Sequence, residues 1–398
     1  MVSTPSNRAI PFGIRLGLAF VFFGFALGSV TVPLAVLLLL GLVHFKDVYQ
    51  INRTYLALLR RPMIISGMAY LLALLVASIL SGSTMSMGMW LATSLMIVVP
   101  LFFAPYVQGS LLTQTLLPSL ALGAMVTGGH SLYLHFTKHI LRARGIWAAV
   151  NGIGLVTAMT LLILIGAFQH SQGWRRLLYL GGIIGAGVAL FLSMSRGAWL
   201  GFLVGLILYG VRNRKTAIVA CALLLISTLV FTFSLPLRNR LIRTFTTPER
   251  GRFEIYLTSI NMVKDNPIIG IGDGMFQERY LDYQIEDSAY PNYAFSQAHN
   301  IFLQVATESG LIGLVGYLVL VGALLLAGFR LYLQPNHLNG ALFCALIAGM
   351  VHNMVDSLFD VVGIGGMWWL LGISLYYVYW GTSLHLQETP SSNKQPQT

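Results

Sequence analysis

Residues 295–321 read FSQAHNIFLQVATESGLIGLVGYLVLV. The first half is polar, with His299, Asn300, Gln304, Thr307 and Glu308 set among apolar residues. The second half belongs to a run from Leu311 to Phe329 that carries no charge. As a helix, such a run is long enough to cross the roughly 30 Å hydrocarbon core of a bilayer. A soluble loop therefore passes directly into a membrane span, with a histidine at the join. Written as a helix over 296–308, the pattern puts Ser296, His299, Asn300, Gln304, Thr307 and Glu308 on one half of the wheel, and Ile301, Phe302, Leu303 and Val305 on the other.

The rest of the chain agrees with a membrane setting. Its 398 residues are 56% hydrophobic and 9% charged, with a mean hydropathy of +0.75. Repeated apolar runs of this kind satisfy their backbone in lipid only as helices or closed barrels, and their length selects helices. The expected fold class is all-α and polytopic. Twelve spans are expected, at about 13–29, 31–45, 63–83, 86–104, 110–128, 146–167, 177–193, 197–212, 216–235, 310–330, 338–355 and 361–381. The first run lacks a small-residue cleavage site and reads as a span. Cys221 and Cys344 both sit in apolar runs, with no metal-ligand or disulfide spacing.

Charge is unevenly placed. The formal net charge is +11, yet only Asp47 among the acidic residues precedes Glu249, and eight fall between Glu249 and Asp287. An even number of spans puts both termini on one side. The basic segments 46–61, 175–176 and 212–215 share that side, which the positive-inside rule makes the cytoplasm. The segment 130–145, with Lys138, Arg142 and Arg144, conflicts: either the span count slips there or its cations have a role outside. The expected organisation is spans one to nine over 1–236, an extracytoplasmic loop domain over 237–309, spans ten to twelve over 310–383 and a disordered cytoplasmic tail over 384–398.

Within the loop, RGRFEIYLTSINMVKDN (250–266) has helical apolar spacing through Phe253, Tyr256, Leu257, Ile260 and Val263, ended by Asp265-Asn266-Pro267. GIGDGMFQERY (270–280) reads as a glycine turn before an amphipathic piece. It lacks the strand context of a nucleotide-binding glycine loop.

Several residues at the outer rim can carry chemistry. Arg196, in LSMSRGAWLGFLVG (192–205), sits at a helix break. It is either a snorkelling arginine beside Trp199 or an anion-holding group. Arg252 opens the loop helix, as a plain surface charge or a second anion ligand. His299 is a hydrogen-bonded rim histidine or a general base, a task an imidazole performs near neutral pH. His352 and Asp356, in GMVHNMVDSLFD (349–360), are four apart and can face one another on a helix. Two arginines facing an imidazole at a membrane rim suit an anionic, phosphate-bearing, lipid-linked substrate.

Three stretches, SRGAWLGF (195–202), GRFEIYLTSINMVKDNPIIGIGDGMF (251–276) and AHNIFLQVATESGLIGLVGYL (298–318), resemble in order and spacing the O-antigen ligase and polymerase superfamily. The resemblance implies a membrane glycosyltransferase without cofactor, metal or nucleotide sugar. Its donor is a glycan on undecaprenyl diphosphate. In the ligase branch its acceptor is a sugar of lipid A-core, with membrane lipids around it and no nucleic acid. It implies His299 as the base, and Arg196 and Arg252 as diphosphate ligands. Asp356 or Asp360 matches an acidic position, and Asn300, Gln304, Glu308, Tyr256, His352, Arg142 and Arg144 are supporting candidates. The location implied is the bacterial inner membrane, with the site facing the periplasm. A polymerase or a protein-glycosylating ligase shares this donor chemistry; the single large loop favours the lipid A-core ligase. A polysaccharide transporter would put charges in mid-span, whereas here they gather at the rim.

Overall fold

The computed structural model describes residues 10–56, 62–146, 148–212, 250–358 and 364–388. Among them there are helices and no strands. The first five helices are α1 (Phe12–Leu27), α2 (Thr31–Val43), α3 (Phe45–Leu56), α4 (Pro62–Leu80) and α5 (Thr84–Phe103). Next come α6 (Gly109–Thr137), which contains a π-helical turn at Leu112–Leu116, α7 (Val150–Gln169), α8 (Trp174–Ser193) and α9 (Arg196–Arg212). After the undescribed 213–249 follow α10 (Arg250–Asp265), α11 (Phe276–Tyr283), α12 (Ile301–Tyr332), α13 (His337–Asn353) and α14 (Gly365–Glu388).

Eleven of the twelve expected spans coincide with helices; the ninth, 216–235, lies outside the described residues, as do 237–249 and Asp360. Among the described residues, five helices are long and apolar enough to cross a membrane, at Thr84–Tyr106, Gly109–Thr137, Val150–Gln169, Trp174–Ser193 and Ile301–Tyr332. Phe12–Leu27, Thr31–Val43 and Ile65–Leu80 are apolar but shorter. Two boundaries moved. The fifth expected span runs on to Thr137, so His130 is helical and the basic loop starts at Lys138. The amphipathic α3 occupies much of the basic segment 46–61.

The centre of the bundle is α7, buried continuously from Gly152 to Ala167, as expected of a helix apolar on every side. It packs against α8, α9 and α13, while α4 lies along α12 and α6 along α8. Where α6 crosses α8, a β-carbon on Gly128 would stand 2.5 Å from Gly185 Cα. Small residues let these backbones approach, the usual device where lipid supplies no hydrophobic drive between helices.

One end of the bundle gathers the loops that matter. Ala143 N–H donates to Leu192 O, Gly145 N–H to Ala148 O, and Gly28 lies against Ala148. The basic segment after α6 thus sits beside the α8–α9 turn and the end of α1. His170 stacks on His337 at the opposite end, with ring centroids 5.0 Å apart. The segment 138–149 leads into Asn151, which bonds Asp356 as Gln297 does, so it shares an end with residues 297–300.

The segment 250–300 has its own small core, made of Ile255, Met262, Ile271, Met275, Phe276, Tyr280 and Ala298, and rests on the first turns of α12 through Leu303. The join is unusual. α12 is interrupted at Gly310, whose φ of 65° and ψ of −171° are open to glycine and strained for other residues. The interruption frees carbonyls that loop amides take up: Ile271 N–H donates to Thr307 O and Gly272 N–H to Glu308 O, both at 3.0–3.1 Å. Leu311 N–H returns a bond to Pro267 O at 2.8 Å. The glycine turn of 270–274 is positive in φ at Gly270, Gly272 and Gly274, and seats directly in the helix break.

Candidate active site

Asp356 is the organising residue. It follows α13, and its carboxylate is buried at the gathered end of the bundle. Oδ1 accepts from His299 Nδ1 at 3.0 Å, Gln297 Nε2 at 3.2 Å and Ser357 N–H at 3.0 Å. Oδ2 accepts from Asn151 Nδ2 at 2.9 Å and lies 3.8 Å from His352 Nε2. Burial works to raise its pKa, but the hydrogen bonds and charge of His299 and His352 outweigh burial and hold the carboxyl well below the usual carboxylate range. His352 and Asp356 are close as their spacing predicts, although α13 ends at Asn353 and they do not share a helix.

His299 stands differently from its expectation on a helical face. α12 begins at Ile301, Asn300 caps it by accepting from Phe302 and Leu303 N–H, and His299 lies outside with a left-handed φ of 51°. A non-glycine residue there is uncommon and stores strain that its surroundings must hold. They do so on three sides. Asp356 grips Nδ1, Tyr256 Oη donates to His299 O at 3.3 Å, and Gln304 Oε1 accepts from Ala298 N–H at 2.7 Å.

The polar stripe after His299 is accordingly split. Asn300 Nδ2 reaches Met354 O, tying the cap to the segment that carries Asp356. Gln304 Nε2 donates to Glu308 Oε1 at 2.9 Å, and Gly274 N–H donates to the same oxygen at 2.9 Å. Gln304 and Glu308 thus connect the glycine turn to the backbone before His299.

A cavity of about 510 Å³ opens beside Asp356, lined by Arg142, Asn151, Ser195, Arg196, Arg252 and His352 among others. Each cation arrives by a local device. Met194, left-handed at φ 50°, ends α8, so that Arg196 opens α9 and the α9 N-terminus faces the cavity region. Arg142 is fixed by Nε donating to Ser193 O at 3.3 Å and a terminal nitrogen donating to Asn151 Oδ1 at 3.2 Å. Arg252 comes from the first turn of α10. It acts electrostatically on Tyr256, whose hydroxyl pKa is raised chiefly by burial, with Arg252 opposing and Asp356 adding. Three guanidinium groups and a helix N-terminus make a strong anion environment. Arg144 is exposed and does not line the cavity. His299 is not a lining residue either; it meets the cavity wall through Asp356.

Sequence reasoning missed Asn151, Gln297 and Ser357, all partners of Asp356 or of its neighbours. Asn151 had a signal, an amide in the first turn of an otherwise apolar span. Asp273, read as part of a turn, is a buried carboxyl. Burial pushes it up to about 6, against hydrogen bonds from Thr93 and Gly274.

Comparison with known proteins falls on these residues. The O-Antigen ligase family model matches residues 181–318, which hold Arg196, Arg252, Tyr256, His299, Gln304 and Glu308. Over 158 aligned residues the chain is 27% identical to an O-antigen ligase of Salmonella typhimurium (strain LT2), covering 33% of this chain and 35% of that protein. The match thus spans about a third of its relative's length. Arg142, Asn151, His352 and Asp356 lie outside the family match, so the two regions meet only in the folded cavity. The chain is a helical membrane protein that carries the O-antigen ligase family's pattern over residues 181–318.

Proposed function

We propose that this protein transfers a glycan from undecaprenyl diphosphate to a sugar hydroxyl of lipid A-core, at the periplasmic face of the bacterial inner membrane. One observation carries the reading: a cavity edged by Arg142, Arg196 and Arg252 shares its wall residue Asp356 with His299. The cations suit a diphosphate, since guanidinium stays charged and matches phosphate oxygens in pairs. The histidine suits removal of a hydroxyl proton.

In this reading the acceptor oxygen attacks the anomeric carbon as the bond to the diphosphate oxygen breaks, with inversion. The hydroxyl proton passes to His299. With Asp356 accepting from Nδ1–H, the imidazole is held as the tautomer whose Nε2 lone pair takes that proton. The charge growing on the leaving diphosphate is met by Arg142, Arg196 and Arg252, fixed cations placed where negative charge develops. His352 also borders the cavity, but it is buried, whereas the His299 side chain is 23% exposed and open to a hydroxyl. The residues required are all side chains of this chain, and no cofactor enters the scheme.

The test is transfer in proteoliposomes supplied with the lipid-linked glycan. His299→Ala should abolish the new glycosidic bond while the protein still inserts and folds; retained transfer removes the base assignment. Offering lipid A-core, further lipid-linked repeat units or a pilin-like protein as acceptor separates the ligase from the polymerase and from a protein-glycosylating enzyme.

A further inference from the structure

The turn 286–295 carries two tyrosines that no part of the transfer chemistry uses. Tyr290 and Tyr293 are 46% and 59% exposed. Exposure alone is ordinary, but this turn is built. The buried Glu254 carboxylate accepts from Ser288 Oγ at 2.8 Å and from Ala289 N–H at 3.1 Å. Gln284 Nε2 donates to Ser288 Oγ at 3.1 Å and to Tyr290 O at 3.0 Å. Asn292, left-handed at φ 62°, turns the chain between the tyrosines. Both rings meet the half-buried Phe295 edge to face, at centroid distances of 5.7 and 4.8 Å. Phe295 in turn packs on buried Tyr280. The rings are thus held in place, at little entropic cost to a ligand that lands on them.

Their position is as informative as their rigidity. The Tyr290 ring lies on Gly251, so close that a β-carbon there would stand 3.1 Å from it. Gly251 precedes Arg252, which lines the cavity. Glu254, which fastens the turn, is on the same helix. The aromatic surface therefore adjoins the cavity across one turn of α10.

We propose that Tyr290 and Tyr293 form a saccharide-binding platform that holds glycan beside the cavity. This deepens the transferase reading and rests on it. A tyrosine ring offers a negative face to the polarised C–H groups of a sugar and a hydroxyl for its oxygens. On the same turn, Glu286, Asp287 and Asn292 are exposed, with acceptors for sugar hydroxyls. The two carboxylates also argue against the other common use of surface tyrosines, anchoring in a headgroup layer, because they repel anionic phospholipid. The sugar comes from the donor glycan or from the acceptor core, and both offer the same chemistry.

The test uses the full chain in nanodiscs and two lipid-free oligosaccharides from the producing bacterium, one cut from the O-glycan and one from the lipid A-core. Saturation-transfer NMR should show binding of at least one, and the one that binds names the source. Tyr290→Ala with Tyr293→Ala should weaken that binding about tenfold or more, while Tyr→Phe at both positions keeps most of it. No binding of either oligosaccharide by the unaltered protein, or unchanged binding by the alanine variant, overturns the platform. So does a Tyr293→Trp variant that is quenched by brominated phospholipid and indifferent to both sugars. Transfer is assayed alongside. Intact transfer without saccharide binding removes the platform alone, and tyrosine-dependent binding without transfer removes the transferase reading alone.

Discussion

His299 Nδ1 and Asp356 Oδ1 lie 3.0 Å apart across 57 residues of sequence, joining the entrance of α12 to the segment after α13. The contact does two things at once. It orients an imidazole held in a strained backbone conformation, and it ties that imidazole to the wall of a cationic cavity.

Asp356→Asn keeps the shape of the side chain and removes the charge that selects the His299 tautomer. Transfer should fall roughly ten-thousandfold, the scale of loss when an imidazole is deprived of its orienting carboxylate, with Asp356→Glu recovering part of it. Because the Asp356 pKa is depressed in the fold, its stabilising contribution is present above the unfolded carboxylate value, about 4, and is lost as pH falls toward the folded value. Melting curves of protein and variant should converge only below about pH 4. Convergence already near pH 6 would contradict the assigned shift.

Asn151 bridges Arg142 and Asp356, accepting from one and donating to the other. Asn151→Ala should raise the KM for lipid-linked donor about tenfold, with a smaller effect on kcat, if Arg142 grips the donor. Asn151→Asp should do worse, since it places a second carboxylate against Asp356 Oδ2. Equal rates for all three proteins would detach Arg142 from the site.

Asp273 gives a pH dependence of opposite sign. Its pKa is raised to about 6 by burial, so the folded chain binds this proton more tightly than the unfolded one. Stability from this group is full below about pH 4 and is lost as pH rises through 6. Asp273→Asn should therefore raise the melting temperature at pH 7.5 and leave it nearly unchanged at pH 4. At neutral pH the gain is about 3 kcal/mol at most, from 1.36 kcal/mol per pKa unit.

The two ends of the bundle make a labelling prediction. Cysteines introduced at Ile140 and Asn292 should react with an impermeant maleimide from one side of the membrane, and a cysteine at Ser171 from the other. Reaction of 140 and 171 from the same side would break the arrangement that puts Arg142 beside Asp356.

Much of this was legible in residues. Apolar runs marked eleven described helices, because lipid leaves the backbone few alternatives. The spacing of Phe253, Tyr256 and Ile260 marked α10, and the glycines marked the turn. The helical wheel failed at His299 because a capping residue stops a helix whatever the periodicity beyond it, and Asn300 is a strong cap. Asn151 and Gln297 were invisible as partners of Asp356 because contacts 205 and 59 residues apart leave no trace in local spacing. The basic segment 138–149 looked misplaced by charge statistics, which count cations near membrane ends and do not ask what each one touches.

The break at Gly310 has a consequence for inheritance. A continuous transmembrane helix satisfies its own backbone and can be cut from a neighbouring loop without cost to either. Here Thr307, Glu308 and Leu311 bond to residues 267–272, so the loop completes the helix and the helix completes the loop. Neither is a module. A graft that exchanges the outer loop between two such proteins must carry α12 with it to Tyr332; one cut at the membrane surface separates two halves of one hydrogen-bonded element.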